Sequence, residues 1–271
     1  MKKILSLTLA AILLFSALTM FGCGKATGLD AIKKTGKLTI YTEAGFAPYE
    51  FVYKNEIVGV DIEIMKAVAD KIGVTLDVQD TNFDAIIGGV QTGKVDAGAA
   101  GITITAERLE SVDFSQPYTQ TEQYVILPAD NTSIKFVEDL AGKNIGVQQG
   151  TTSDLMVEEL IANGKMAGAI LTPYNTPALA AAGIGTKVDA VVTDKLTAEI
   201  IINNNAGLQA FSLTNSDGSP VAEIEKYGIC VAKGNDELLA VINEVLDELI
   251  AAGKISQWEQ EYSAKATEVG A

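Results

Sequence analysis

Several polar residues stand at the ends of predicted strands, where their side chains could surround one small molecule. They are Glu43, Gly101, Thr103, Arg108, Gln148, Thr151, Thr152 and Asp194. In an open α/β sheet, ligands bind beyond the carboxyl ends of the strands, where the connecting loops gather. The sequence therefore predicts a binding edge with two carboxylates, one guanidinium group and several hydroxyl groups.

These groups suit a ligand that carries both charges of a zwitterion. Arg108 could donate two hydrogen bonds to a carboxylate, and Asp194 could accept hydrogen bonds from an ammonium group. Thr151 and Thr152 precede a predicted helix at 153–161, whose first amide groups form the positive end of the helix dipole.

Each assignment has a structural alternative that the spacing leaves open. Arg108 stands beside two glutamates and could form only a surface ion pair. Thr151 or Thr152 could simply cap the helix that follows, and Asp194 could cap the next helix along the chain.

Two phenylalanines also stand directly after predicted strands. Phe46 and Phe83 could each cover the aliphatic stem of a ligand, although each could equally belong to a hydrophobic core. Tyr49 follows Pro48 and is interpreted as a packing residue.

The elements that must position these residues alternate between strand and helix. The first half predicts a strand at 37–41, a helix at 61–72, a strand at 74–78, a helix at 83–91 and a strand at 95–100. The second half repeats two short sequence motifs of the first half in the same order. Gly-Lys occurs at 36–37 and 142–143, and Lys-Val-Asp-Ala occurs at 94–97 and 187–190. Two similar α/β lobes, each with a mostly parallel sheet, are predicted.

The first residues predict export from the cell. Lys2 and Lys3 precede an apolar run at 4–18, which is shorter than a membrane-spanning helix and typical of a cleaved signal. Gly22-Cys23 resembles the lipobox of bacterial lipoproteins, which implies that Cys23 carries a lipid anchor. An ordinary secretory signal with an incidental cysteine is the alternative.

Composition argues against several classes of function. The 20 basic and 35 acidic residues give a formal net charge of -15, which repels nucleic acid and anionic lipid. The sequence has no histidine and, beyond Cys23, only Cys230, so a disulfide framework, a metal site and most catalytic classes are not expected. No cofactor is predicted.

Two adjoining segments, GITITAER at 101–108 and VDFSQPY at 112–118, resemble the signature of the polar amino-acid-binding proteins of ABC importers. Supporting matches are EAGFAPYEF at 43–51, GVDI at 59–62, GVQQGT at 146–151 and VDAVVTD at 188–194. The resemblance covers residues 30–262. It implies a periplasmic-binding-protein fold of type II, in which two lobes joined by a two-strand hinge close on a free amino acid and deliver it to a permease.

The resemblance also implies a role for each candidate residue. Arg108 would bind the α-carboxylate with Thr103 and an amide at Thr152, while Asp194 and the Gly101 carbonyl would hold the ammonium group. Phe46 and Phe83 would sandwich the side chain of the ligand, and Glu43 would contact its far end. Since Gln148 is neutral and no lysine stands near that end, an acidic ligand is not expected. A basic ligand and an uncharged polar one, such as cystine or glutamine, both remain open.

These interpretations divide the chain into six segments. They are a signal peptide at 1–22, the lipidated Cys23 and a tether at 23–29, a first lobe at 30–119, a second lobe at 120–224, a return to the first lobe at 225–262 and a tail at 263–271. We expect a monomer on the outer face of the cell membrane or in the periplasm. The alternatives are a dehydratase of the arogenate or prephenate type, with Glu43 as its acid or base, and a sensory or cell-wall module. We expect no further module after Ala271.

Overall fold

The structure is a computed structural model that describes residues 28 to 270. The predicted signal peptide and the lipidation site at Cys23 lie outside the described residues. Within 28–270, no helix is both long enough and apolar enough to cross a lipid bilayer.

The first half of the chain forms one lobe. Its strands are β1 (Lys37–Thr42), β2 (Gly45–Phe46), β3 (Glu50–Tyr53), β4 (Glu56–Val58), β5 (Thr75–Asp80), β6 (Ala97–Gly98) and β7 (Val112–Phe114). Its helices are α1 (Leu29–Thr35), α2 (Val60–Ile72), α3 (Ile86–Gln91) and α4 (Ala106–Ser111), with a 3-10 turn at Phe83–Ala85.

The chain then crosses to a second lobe through β8 (Thr119–Thr121). The strands of this lobe are β9 (Gln123–Pro128), β10 (Asn144–Gln148), β11 (Ile170–Tyr174), β12 (Ala190–Asp194) and β13 (Leu208–Ser212). A 3-10 turn at Val137–Leu140 and three helices flank them, α5 (Thr152–Ala162), α6 (Pro177–Ala181) and α7 (Lys195–Asn203).

The last segment packs with the first lobe, since β15 pairs with β6 and β7. It contains β14 (Glu225–Tyr227), β15 (Cys230–Ala232), α8 (Asp236–Ala251) and α9 (Lys254–Val269). The strands β8 and β14 pair in antiparallel register and form a two-stranded ribbon between the lobes.

The two main sheets have the same plan. Their strand orders are β5-β1-β6-β15-β7 and β11-β10-β12-β9-β13. In each sheet the first three strands are parallel, and only the fourth runs antiparallel to its neighbours. Both sheets are therefore mostly parallel, as the alternation of predicted strands and helices indicates.

The two copies of the Lys-Val-Asp-Ala motif occupy equivalent places in the two lobes. The Asp96 carboxylate accepts from the Thr39 amide at 2.8 Å, and the Asp189 carboxylate accepts from the Asn144 amide at 2.8 Å. Each aspartate also donates its own amide to the carbonyl of that same partner, at 2.8 Å in both lobes. The repeat is therefore structural, because it aligns β6 with β1 in the first sheet and β12 with β10 in the second.

Two predicted elements have different lengths in the structure. The strand expected at 95–100 is reduced to β6, because the chain leaves the sheet and turns at Gly101, which has φ +54°. The last helix is the 16-residue α9, which continues past residue 262 into the predicted tail and ends at Val269. Ala266 is fully buried in the core of the first lobe and explains why this part of the chain is ordered as a helix.

Candidate functional site

The candidate residues come together where the carboxyl ends of the two sheets face each other. Glu43 follows β1, Gly101 follows β6, Gln148 ends β10 and Asp194 ends β12. The topology therefore brings residues from both halves of the chain to one cleft between the lobes.

Arg108 spans this cleft. Its Nη1 donates to the Thr103 carbonyl at 2.8 Å, and its Nη2 donates to the Gly150 carbonyl of the other lobe at 3.0 Å. The guanidinium carbon lies 5.3 Å from the centre of the Phe83 ring. Within the described residues Arg108 forms no ion pair with a neighbouring glutamate, so the surface alternative does not apply in this structure.

The two threonines at the start of α5 have different partners. Thr151 is the helix cap, since its hydroxyl oxygen accepts from the Asp154 amide at 3.2 Å while its hydroxyl donates to the Gln148 carbonyl at 2.8 Å. The Thr152 hydroxyl donates instead to the Glu225 carboxylate at 2.7 Å. Thr152 therefore presents its hydroxyl to the cleft, and Thr151 holds the turn that precedes the helix.

Asp194 is buried at the end of β12. It stands at the cap position of α7, yet its side chain makes no capping hydrogen bond. Its Oδ1 accepts from the Gln123 amide at 3.2 Å. Burial, followed by the negative charge of Glu225, raises the pKa of Asp194 well above its ordinary value, and Arg108 opposes this shift. The carboxylate is thus available to a cation rather than used as a cap.

Glu43 and Gln148 meet at another part of the cleft. The Gln148 amide donates to Glu43 Oε2 at 2.8 Å and to the Asn175 carbonyl at 2.9 Å. Glu43 is only 6% exposed, and burial together with the nearby Asp80 raises its pKa to about 7, against the hydrogen bond from Gln148. Such a carboxyl is costly to keep charged without a cation beside it.

The two phenylalanines lie in different surroundings. Phe46 is buried in the core of the first lobe and stacks on Tyr49 at 5.9 Å between ring centres, and Tyr49 itself packs in that core as predicted. Gly101 lies directly against Phe46, since a Cβ atom at Gly101 would come within 2.8 Å of the ring. Phe83 is half-buried and faces Arg108. A sandwich of the ligand between the two rings stays a prediction.

Sequence reasoning missed three polar residues of the cleft. Glu225 and Gln123 lie near the predicted lobe boundaries at 224–225 and 119–120, but nothing in their spacing marked them as binding groups. Asp61, inside the matching segment GVDI, accepts from the Gly101 amide at 2.9 Å and from the Tyr118 hydroxyl. It holds the turn at Gly101, and burial raises the pKa of Asp61 to about 7.

Together these groups form a cleft with one cationic side chain and carboxylates at separate places. Arg108 and the Thr103 and Thr152 hydroxyls are donors for an anionic group, while Asp194 and Glu43 are acceptors for cationic groups. Such an arrangement can recognise a small molecule that carries one negative and more than one positive charge.

The chain is also similar to known proteins. Residues 38–265 match the model of the bacterial extracellular solute-binding proteins, family 3. The arginine-binding extracellular protein ArtP of Bacillus subtilis is 32% identical over 265 residues, which are 97% of this chain and 98% of ArtP. The amino acid ABC transporter substrate-binding protein AbpA of Streptococcus pneumoniae, in a crystal structure bound to L-arginine, superposes with a TM-score of 0.81 at 27% identity. The match covers 88% of this chain and 99% of AbpA.

One relative is an enzyme. The membrane-bound lytic murein transglycosylase F of Desulfosudis oleivorans is 29% identical over 85% of this chain, but the match covers only 49% of the transglycosylase. Binding proteins such as ArtP match over nearly their whole length instead. The family model, the full-length relatives and the two-lobed fold agree, and the chain belongs to the bacterial extracellular solute-binding proteins, family 3.

Proposed function

We propose that this protein binds a free basic amino acid of the arginine class outside the cell and delivers it to the permease of an ABC importer. The observation that carries the proposal is the buried Glu43, since a cationic group of the ligand beside it would stabilise its charged carboxylate. Beside an uncharged ligand side chain, Glu43 would gain no such stabilisation and would remain a carboxyl with a raised pKa.

The remaining groups fit the part that all amino acids share. Arg108 matches a planar carboxylate with its fork of N–H donors, and Thr103 and Thr152 add hydroxyl donors from the two lobes. Asp194 receives the ammonium group together with the Gly101 carbonyl, which the contact with Asp61 holds in place. Because these groups come from both lobes, a bound ligand would favour the closed arrangement of the lobes.

The relatives support a basic ligand rather than an uncharged one. ArtP is named for arginine, and AbpA was crystallised with L-arginine. With the acidic Glu43 in the cleft, we extend this ligand class to the present chain and place glutamine and cystine second.

The place of action is part of the same proposal. Family membership assigns the chain to extracellular binding proteins. We infer that Cys23 carries the lipid that holds the protein at the membrane, and that the folded part works as a monomer.

A panel of free amino acids tests the proposal. Protein freed of amino acids by unfolding and refolding is mixed with L-arginine, L-lysine, L-histidine, L-glutamine, L-cystine or L-glutamate, and its melting temperature is measured. A ligand that binds only the folded state raises that temperature. The largest rise is expected with L-arginine or L-lysine, and none with L-glutamate. A larger rise with L-glutamine or L-cystine would move the ligand class to uncharged polar amino acids.

A dehydratase activity is the second candidate, because a carboxyl with a pKa of about 7 is suited to proton transfer. Incubation with arogenate or prephenate, followed by mass spectrometry, separates the two functions. Unchanged substrate together with stabilisation by a basic amino acid supports transport. Product formation that is lost in Glu43→Gln would support the enzyme.

A further inference from the structure

Glu225 lies on β14 in the ribbon between the lobes, and its carboxylate is directed into the cleft. Its Oε2 accepts from the Thr103 hydroxyl at 2.6 Å and from the Thr152 hydroxyl at 2.7 Å. Thr103 belongs to the first lobe and Thr152 to the second. A single carboxylate oxygen therefore ties the two lobes together.

The same two hydroxyl groups are the donors assigned above to the carboxylate of the ligand. A hydroxyl group has only one hydrogen to donate, so each threonine can serve either Glu225 or the ligand. Arg108 is close to this place as well. Burial lowers the pKa of Arg108, and the negative charge of Glu225 is the largest effect that opposes this shift. The Glu225 carboxylate thus has the surroundings expected for a bound α-carboxylate.

The other oxygen of Glu225 is held by a fixed amide. Ser153 donates to Gln123 Oε1 at 2.7 Å, which turns Gln123 Nε2 toward Glu225 Oε1 at 2.7 Å and Asp194 Oδ1 at 3.2 Å. Two carboxylates share one amide group in this arrangement. The negative charge of Glu225 is the second cause, after burial, of the raised pKa of Asp194. Glu225 therefore repels the Asp194 carboxylate, and this repulsion ends when Glu225 leaves the cleft.

We propose that Glu225 is an internal competitor for the subsite of the α-carboxylate, which latches the lobes together until a ligand carboxylate displaces it. The inference rests on the proposed function for the identity of the ligand, but not for the latch itself. The apparent dissociation constant scales inversely with the fraction of molecules that are free to bind. If nine in ten molecules are latched, the apparent affinity is about tenfold weaker than the intrinsic one.

Titration calorimetry with L-arginine on protein freed of amino acids tests the competition. Glu225→Ala removes the competitor and is expected to tighten binding about fivefold or more. Glu225→Gln keeps the shape and an acceptor oxygen but not the charge, and an intermediate gain is expected. Glu223→Gln is the matched control, since it removes one exposed negative charge two residues away. Its affinity should stay within about twofold of wild type, a difference close to RT.

Agmatine, which is arginine without its carboxylate, separates competition from simple attraction of a cation. Glu225→Ala should tighten L-arginine binding more than agmatine binding, because agmatine has no carboxylate to take the place of Glu225. If Glu225 instead attracts the cationic ligand, the alanine variant loses affinity for L-arginine. Unchanged or weakened L-arginine binding in Glu225→Ala and Glu225→Gln overturns the proposal.

A measurement without any ligand tests the latch on its own. Small-angle scattering of the amino-acid-free protein should give a larger radius of gyration for Glu225→Ala than for wild type or Glu223→Gln. Equal radii for all three proteins would overturn the latch. If wild type fails to bind L-arginine but the radius still increases in Glu225→Ala, the ligand class is wrong and the latch stands.

Discussion

The Gln148 amide donates to the Glu43 carboxylate at 2.8 Å and so joins the two lobes across the cleft. Gln148 is neutral, so it supplies a hydrogen bond but no charge to a carboxyl that is almost fully buried. The pKa of Glu43 therefore stays raised, to about 7, with burial as the main cause. A ligand with a cationic end would supply the missing charge.

Glu43 should make ligand binding depend on pH. A cation beside Glu43 stabilises its charged form, so binding below a pH of about 7 requires the loss of a proton. The affinity for L-arginine should therefore be full above that pH and weaken below it, by at most about tenfold per pH unit. Calorimetry between pH 8 and pH 5.5 measures the slope.

Glu43→Gln is the matched variant for this experiment. It should bind L-arginine more weakly at pH 8 but lose less affinity as the pH falls. Some slope should remain because the pKa of Asp194 is also raised. A variant with the full wild-type slope would show that Glu43 does not contact the ligand.

Gly150 should be required for closure of the cleft. Its φ is +77°, and a Cβ atom there would come within 2.9 Å of the Asp84 Cβ on the other lobe. Gly150→Ala should weaken L-arginine binding at least about tenfold, since closure forces a clash. Gly142→Ala is the control, because Gly142 has a similar φ of +70° but no atom within 4 Å of the added carbon. Equal loss of affinity in both variants would mean that only backbone strain matters.

Asp61 should couple the stability of the first lobe to pH. Burial raises its pKa from 3.8 to about 7, so the folded state holds this proton more tightly than the unfolded state. Its contribution to the free energy of unfolding is present at low pH and is lost as the pH rises from about 4 to 7, at up to about 1.4 kcal/mol per pH unit. Asp61→Asn resembles the protonated form and should remove this dependence. Urea unfolding of wild type and Asp61→Asn at pH 5 and pH 8 checks this prediction. If Asp61→Asn is less stable than wild type only at pH 8, the prediction is contradicted.

Cys23 should attach the protein to the membrane. Cys23→Ser is expected to release the protein into the soluble fraction, because single or paired acyl chains account for anchoring of this kind. L-Arginine binding should be unchanged, since Cys23 precedes the described fold. Firm retention of the serine variant in the membrane fraction would rule out the lipid anchor.

The fold could be predicted from the sequence because the alternation of strands and helices and the repeated motifs are local sequence patterns. The positions of Asp194 and Gln148 could be predicted for the same reason, since a residue that ends a parallel strand must lie at the binding edge. The division of roles between Thr151 and Thr152 could not, because both precede the same helix and only the direction of each hydroxyl separates them.

The missed residues depend on contacts between distant parts of the chain. Glu225 is 122 residues from Thr103, and its position relative to the cleft is set by how β14 pairs with β8. Asp61 reaches Gly101 across 40 residues through the packing of α2. Neither contact leaves a periodic or spaced signal in the sequence.

The central claim is that Arg108 and Asp194 hold the two charges of an amino acid, and calorimetry with L-arginine on Arg108→Met and Asp194→Asn tests it most directly. Loss of one partner of a buried charge pair costs about 2 to 5 kcal/mol, which corresponds to roughly thirty-fold to several-thousand-fold in affinity. Lys66→Met, which removes an exposed ion pair with Glu63, is the control and should bind like wild type. Both cleft variants are expected to fold and to lose at least about thirty-fold in affinity. If Arg108→Met binds L-arginine within about threefold of wild type, the assignment of the carboxylate to Arg108 is contradicted.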